Sequence, residues 1–330
     1  MEYKSNKKAS SKSRINIGQL AAIAPVAGLV AVVVVFMVLT RGALLSAGNL
    51  QAMVNQMILT ALVTIGAVFI FGSGFFDMSM GGCVCICAVF GGLTAIKTGS
   101  FFLAFAVILL VSLLLGAMKG LIASYVNVPF FIFTIVLGSV ITAFVLVILG
   151  EKSTIYLKDA VREMPKFTTG QLALMNVLTL ALFFGLCLVL FHWTPLGIWL
   201  KNLGGNPVCA RQSGIPVKRT IMTSFFISAL GVAIAAFLLL VRTRSVGSTT
   251  AGTLGNDVMV ALVLGGMPLS GGPRSRISAG LLGAVTITVL NSGLTIMGLS
   301  TGMIQICRGI VFIIVVLVSS FSYRSRLLPR

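Results

Sequence analysis

The sequence predicts an all-α fold: a polytopic membrane helical bundle of about ten transmembrane helices. Three observations carry that reading. Hydrophobic residues make up 58% of the 330-residue chain and charged residues only 9%, where a soluble domain carries about a quarter charged residues. Mean hydropathy is +1.10. The apolar residues fall into blocks of about 17–25, the length that crosses a hydrocarbon core of about 30 Å.

The segment Met1–Arg14 is basic and polar, and the apolar run Gln19–Thr40 follows it. A signal peptide shares that polarity, but its apolar region spans only about 7–15 residues. The longer run reads as an uncleaved first span, with Ser46-Ala47-Gly48 the alternative cleavage-like site. The second span is Asn49–Phe71, and a glycine break at Gly72–Gly74 separates it from the third, Met80–Ile96. The fourth runs Phe101–Tyr125 to the turn Asn127-Val128-Pro129, and the fifth covers Phe130–Leu149. A polar insertion over residues 150–170 follows. Its Ile155, Leu157, Val161 and Met164 are spaced to line one side of a short surface helix. The sixth span is Gln171–Trp193, and the polar stretch 201–219 leads to the seventh, Thr220–Val241. Beyond a Gly/Ser/Thr-rich loop lie a short eighth segment, Val258–Gly266, a ninth, Ile277–Ser292, and a tenth, Thr301–Phe321. The chain therefore divides into a basic tail (1–18), one transmembrane domain (19–322) and a second basic tail (323–330).

Basic residues assign the sides. One set of alternate loops holds fifteen Lys and Arg, Lys119 among them, and the other holds eight, including Lys152, Lys158, Arg162 and Lys166. Cytoplasmic loops carry the excess of Lys and Arg, which places both termini in the cytoplasm and the 150–170 insertion outside. The same distribution explains the net charge of +18 without nucleic acid, since the aromatics are mainly Phe inside apolar blocks.

Nothing in the sequence forms a catalytic or metal centre. The one histidine, His192, sits beside Trp193 at a predicted membrane edge, where an interfacial role suits it. Cys83, Cys85 and Cys87 alternate, so on a helix successive thiols turn by about 200° and do not converge. They read as small apolar fillers. No Gly-Lys dipeptide occurs, so the phosphate-binding P-loop is absent and the energy for any pumping comes from a partner or an ion gradient. Ionisable residues inside spans are expensive and functional by default. Here they are Asp77, Asp257 and Arg308, with Lys119 near a span end. Such charges either lock helices together as pairs or line a solute path. Glycines number thirty-six, and those inside spans, such as Gly116 and Gly120, permit close helix packing. The breaks at Gly72–Gly74, Gly265–Pro268 and Gly271–Pro273 put irregular backbone at membrane depth, tolerated only in protein or beside an aqueous path. In the 201–219 stretch, Asn206 is placed as an N-cap with Pro207 at the first helical position and Gly214 at the end. That short helix is either a connector or a docking element for a soluble partner.

At these residues the sequence resembles the permease subunits of sugar-type ABC importers, the family of ribose, galactose and autoinducer-2 permeases. Phe76-Asp77-Met78-Ser79-Met80-Gly81 resembles the family's Gly-Ile-Asp-Leu-Ser-Val-Gly. Val128-Pro129-Phe130-Phe131-Ile132-Phe133-Thr134-Ile135-Val136-Leu137-Gly138 is similar to its Pro-Phe-Ile-x-Thr-Leu-Gly, with Phe131 and Ile135 extra. Gly205-Asn206 with Ala210-Arg211-Gln212-Ser213-Gly214-Ile215 resembles Gly-Asn-x-x-Ala-Ala-Arg-x-Ser-Gly-Ile. Asp257, Val263-Leu264-Gly265-Gly266 and Leu269-Ser270-Gly271-Gly272 match the last motif, Asp-Ala-Ile-Ala-Ala-Val-Val-Leu-Gly-Gly-x-x-Leu-x-Gly-Gly.

The resemblance implies a fold like that of the vitamin B12 importer permeases, in the bacterial inner membrane. It implies a second permease subunit, a cytoplasmic ABC ATPase that carries ATP and magnesium, and a solute-binding protein outside. The permease itself then has no cofactor and no catalytic residue. Gly205, Asn206, Ala210, Arg211, Ser213 and Gly214 would couple to the ATPase. Asp77, Phe130, Asp257 and Arg308 would line the path or pair within the membrane. Phe76, Met78 and Met80 depart from the motif beside that path. An ion-coupled secondary carrier is the alternative, for which only Asp77 and Asp257 supply membrane-embedded acids.

Overall fold

The computed structural model describes residues 17–126, 128–150, 154–157, 168–268 and 270–324. The terminal tails beyond them, and most of the 150–170 insertion, lie outside the described residues. In chain order the helices are α1 Ile17–Leu39, α2 Ala47–Gly72, α3 Met80–Thr98, α4 Phe101–Tyr125, α5 Phe130–Leu149, α6 Thr169–His192, α7 Pro195–Gly205, α8 Pro207–Gln212, α9 Val217–Thr243, α10 Leu254–Leu264, α11 Ile277–Ile296 and α12 Thr301–Arg324.

Their starts follow from local chemistry. The Ser100 hydroxyl accepts the Leu103 N–H at the head of α4. Thr168 and Gln171 cap one another's backbone in a reciprocal box at α6, satisfying donors that a helix N-terminus leaves open. Thr194 caps α7, where Pro195 takes the first helical position.

Among the described residues seven helices are long and apolar enough to cross a membrane: α2, α3, α4, α5, α6, α9 and α11. Three shorter apolar helical stretches accompany them, over Ala24–Leu39, Leu254–Leu264 and Thr301–Leu317. Expected boundaries shift most at the eighth segment. It begins at Leu254 rather than Val258, and its eleven residues reach only about 16 Å, half a bilayer core.

The helices sort into an inner and an outer set. The apolar windows of α2, α9 and α11 are 72–78% buried, and those of α4, α5 and α6 only 22%. In the outer set the remaining surface is apolar, as at Leu114, Val140, Val147 and Leu182, which suits contact with lipid. The inner set packs closely because its contacts are made by small residues. A Cβ added to Gly66 on α2 would lie 3.0 Å from the Ser228 Cα and 3.4 Å from the Ile227 carbonyl oxygen on α9. Shape-matched backbone approach of this kind replaces the hydrophobic drive that lipid removes.

Two expectations are corrected. Residues 154–156 are not helical: β1, Thr154–Tyr156, pairs antiparallel with β2, Ser245–Gly247, placing Ile155 opposite Val246. The apolar Ile155 and Leu157 thus serve a strand packed at the end of α9, and Leu157 is buried. Lys119 is not a loop residue either. It lies inside α4, 4% exposed.

Candidate functional site

The break after α2 is the first functional feature. Residues between Gly72 and Met80 run without helix, and side chains from two neighbouring helices hold them. Lys119 on α4 donates to Asp77 Oδ2 at 2.6 Å. Asp77 Oδ1 accepts from the Ser79 N–H at 2.8 Å and from the Ser79 hydroxyl at 2.6 Å. On α5, the Thr134 hydroxyl accepts the Met78 N–H at 3.1 Å and lies 2.9 Å from the Phe131 carbonyl. Both charges are buried, and every carboxylate oxygen has a donor. A buried pair is tolerable only on those terms. Cys83 belongs to this polar cluster, its Sγ 3.5 Å from Lys119 Nζ, so it is more than an apolar filler.

Around the break lies an aromatic cluster. Phe130 is buried edge-to-face against Phe75 (5.4 Å between centroids) and Phe225 (5.2 Å). Phe76 stands where the motif has isoleucine, and Phe75 where it has glycine. Phe76 packs edge-to-face on Phe71 at 4.7 Å and on Phe131 at 6.5 Å. Two of the departures from the family motifs, Phe76 and Phe131, therefore touch each other.

Asp257 and Arg308 form the second pair, bridging α10 and α12, and the Thr253 hydroxyl donates to the other carboxylate oxygen at 3.3 Å. Of the two acids open to Arg308 in the sequence, the structure selects Asp257 and gives Asp77 to Lys119. The signal for Lys119 was present. Six apolar or small residues of the same helix follow it, from Gly120 to Tyr125, too many for a loop lysine.

The third feature is α8. The Asn206 side chain accepts the N–H groups of Val208 (2.9 Å) and Cys209 (3.1 Å). Gly214 closes the turn with φ +76°, a conformation that costs glycine nothing. Val208, Cys209, Arg211, Gln212, Ser213 and Gly214 are exposed, and Ala210 alone of this helix is buried. The coupling set drawn from the sequence thus splits. Arg211, Ser213 and Gly214 face outward, whereas Ala210 anchors the helix to the bundle.

Just before α8 lies a junction of glycines. The Gly272 N–H donates to the Gly72 carbonyl at 3.1 Å. A Cβ on Gly204 would lie 2.2 Å from that carbonyl oxygen and 2.6 Å from Gly272 N. The end of α7 is therefore clamped between the end of α2 and the loop before α11. The breaks at Gly72–Gly74 and Gly271–Pro273, far apart in sequence, meet here, and α8 begins two residues beyond. His192 ends α6 exposed, its ring 5.5 Å from Phe191. Among the described residues no group of three or more His, Cys, Asp or Glu is placed to hold a metal.

Seven membrane-length helices, irregular backbone between them and intramembrane charges neutralised in pairs define a polytopic membrane transport protein. The chain belongs to the family described as branched-chain amino acid transport system / permease component, whose model matches residues 49–316. Among curated relatives it is similar to the ribose import permease of Haemophilus influenzae, 26% identical over 84% of this chain and 86% of that protein. It is 28% identical to the xylose transport system permease of Escherichia coli, over 91% of each. It is also 28% identical to the galactofuranose transporter permease of that species, over 81% of this chain and 78% of the relative. No solved structure matches the chain. The family resemblance carried by the four motifs holds, and with it the reading as a permease subunit rather than an enzyme.

Proposed function

We propose that this chain is the membrane-spanning subunit of an ABC importer for a small sugar-like solute, working by alternating access in the bacterial inner membrane. One permease domain over 19–322 completes ten spans, with α1, α12 and the short α10 counted beside the seven other spanning helices, in a fold of the vitamin B12 importer kind. Two such subunits form the path, a solute-binding protein delivers cargo from outside, and a cytoplasmic ATPase holds ATP and magnesium. Similarity to ribose, xylose and galactofuranose permeases over most of the chain supports the solute class.

The single observation that carries the coupling is α8. It is short and capped at both ends, exposes Val208 and Arg211, and follows directly on the end of α7 that is clamped at the junction of Gly72, Gly204 and Gly272. A partner that grips α8 pulls directly on the ends of α2 and α7. Closure of two ATPases is thereby converted into movement of the broken segment that carries Asp77. Arg211 offers a planar fork of donors for an acidic or carbonyl-lined groove.

The test separates the two faces of α8. Val208→Glu and Arg211→Glu should leave membrane insertion intact and lower co-purification of the cognate ATPase by about tenfold or more, with uptake of labelled sugar falling in step. Ala210→Glu should instead lower folded yield, because it drives a charge into the packed face. Uptake that persists in the α8 variants and collapses with a proton ionophore would move the chain to the ion-coupled carriers.

A further inference from the structure

At the end of the bundle away from α8 the structure contains a cavity of about 460 Å³ between α2, α3, α9 and α10. The 27 residues of α9 span about 40 Å, and Arg242, on the cavity wall, lies at their far end. Asn55, Gln56 and Thr60 line the wall from α2, and Thr253 and Asp257 close it from the start of α10. The charges on this wall do not cancel. Asp257 is already neutralised by Arg308, which is not part of the wall, and its other oxygen accepts from the Thr253 hydroxyl. Arg242 has no such acid. Among the described residues its guanidinium meets neither a carboxylate nor a hydrogen-bond acceptor. One uncompensated positive charge, half-buried, therefore faces the space.

The neutral groups add donors to that charge. Asn55 accepts from Asn176 at 3.1 Å through its carbonyl oxygen, so its NH2 group is left without a partner among the described residues. The Gln56 side-chain amide has none there either. The Thr60 hydroxyl donates along its own helix to the Gln56 backbone carbonyl at 3.2 Å, which leaves its oxygen able to accept. A cation at the C-terminus of α9 is partly explained by the helix dipole. That account does not reach the unpartnered amides of α2, which belong to a different wall of the same cavity. Polar groups at membrane depth are costly unless used, and a charge withdrawn from water is tolerable when its counter-charge comes with it.

The geometry points to this cavity as a site for a carboxylate, that of a hydroxy acid of monosaccharide size such as an aldonate or a uronate, with Arg242 as its charged ligand. The planar guanidinium fork matches a carboxylate through two parallel hydrogen bonds. The volume falls within the range of about 300–1,000 Å³ usual for small-molecule pockets, which leaves room for a short hydroxylated chain beyond the carboxylate. Its hydroxyls meet the amides of Asn55 and Gln56 and the spare lone pairs of Thr60 and Asp257. The assignment rests on the importer reading and gives its solute a negative charge. In this it departs from the relatives, because ribose, xylose and galactofuranose are uncharged.

Two measurements test it. In the first, the full-length permease in lipid nanodiscs is titrated with D-galacturonate and D-gluconate, and separately with D-galactose and D-glucose, at one ionic strength. The two acids should raise the melting temperature and the neutral sugars should not. Arg242→Gln should raise the half-saturating acid concentration by about tenfold or more, and Arg242→Lys, which keeps the charge without the fork, by less. Equal responses to acids and neutral sugars overturn the assignment, and so does an acid response that Arg242→Gln leaves unchanged. Sodium sulfate acting as strongly as the two acids overturns the hydroxy acid in favour of an inorganic anion. Should Arg242→Gln fail to fold, the comparison of acids with sugars on the parent still decides. In the second, ATP-driven uptake of the same four labelled compounds is followed with the full complex in membrane vesicles. Uptake of the acids in preference to the sugars supports both the site and the importer reading. Uptake of the neutral sugars alone overturns the charge class and leaves the importer reading standing, and uptake of none of the four overturns both.

Discussion

Lys119 lies six residues inside the end of α4, and its ammonium, 6% exposed, closes on the fully buried Asp77 carboxylate. Deleting one partner strands the other charge in a low-dielectric interior, at about 3–5 kcal/mol. Replacing both by apolar residues of like volume removes that penalty. Lys119→Met and Asp77→Leu should therefore each lower the detergent melting temperature of the purified permease sharply, and the double variant should recover most of the loss. A double variant as unstable as the worse single one would show that the cluster with Ser79 and Thr134, not the pair, fixes the break. The acids themselves were legible from sequence, because an Asp inside an apolar run has few explanations. Their partners were not. Helical spacing orders residues on one element, whereas Asp77 finds Lys119 across 42 positions and Asp257 finds Arg308 across 51.

At the scale of elements, the sequence showed where helices break but not that the breaks meet. Gly72, Gly204 and Gly272 belong to three separate segments, and nothing in any one of them marks its neighbour. The caps were readable: Asn206, Pro207 and Gly214 have the roles in α8 that their residue types dictate. Residues 154–157 do not form the surface helix that their apolar spacing suggests. Three strand residues carry too little period to distinguish the two, and the partner strand, β2, lies 91 residues on. The junction makes a specific demand. Gly204→Ala brings a methyl within 2.2 Å of a backbone oxygen, a contact only backbone movement can relieve, at about 1–3 kcal/mol or more. Gly185→Ala on α6 meets nothing within 4 Å. The first should lower the melting temperature by several degrees and reduce sugar uptake, and the second should do neither. Equal behaviour of the two would remove the clamp on α7.

At the scale of the whole molecule, composition alone was enough for a multi-pass helical bundle, since no soluble core accounts for 58% hydrophobic residues. The inner and outer sets of helices were not legible, because lipid and protein present the same apolar demand to a side chain. Orientation rests on the distribution of basic residues. The burial of Lys119 removes one residue from the richer side and leaves the bias standing. Cys209 offers a direct test, because it is exposed on α8 and four of the other five thiols are buried, with Cys307 partly so on α12. If the α8 end faces the cytoplasm, a membrane-impermeant maleimide should label the native protein in inside-out vesicles and leave it unlabelled in intact cells. Cys209→Ser should abolish that labelling, which separates it from reaction at Cys307. Co-expression of the cognate ATPase should slow the reaction, because a partner that grips Val208 and Arg211 covers the residue between them. Labelling from outside intact cells would invert the topology. Labelling indifferent to the ATPase would leave the topology in place and remove α8 from the coupling surface.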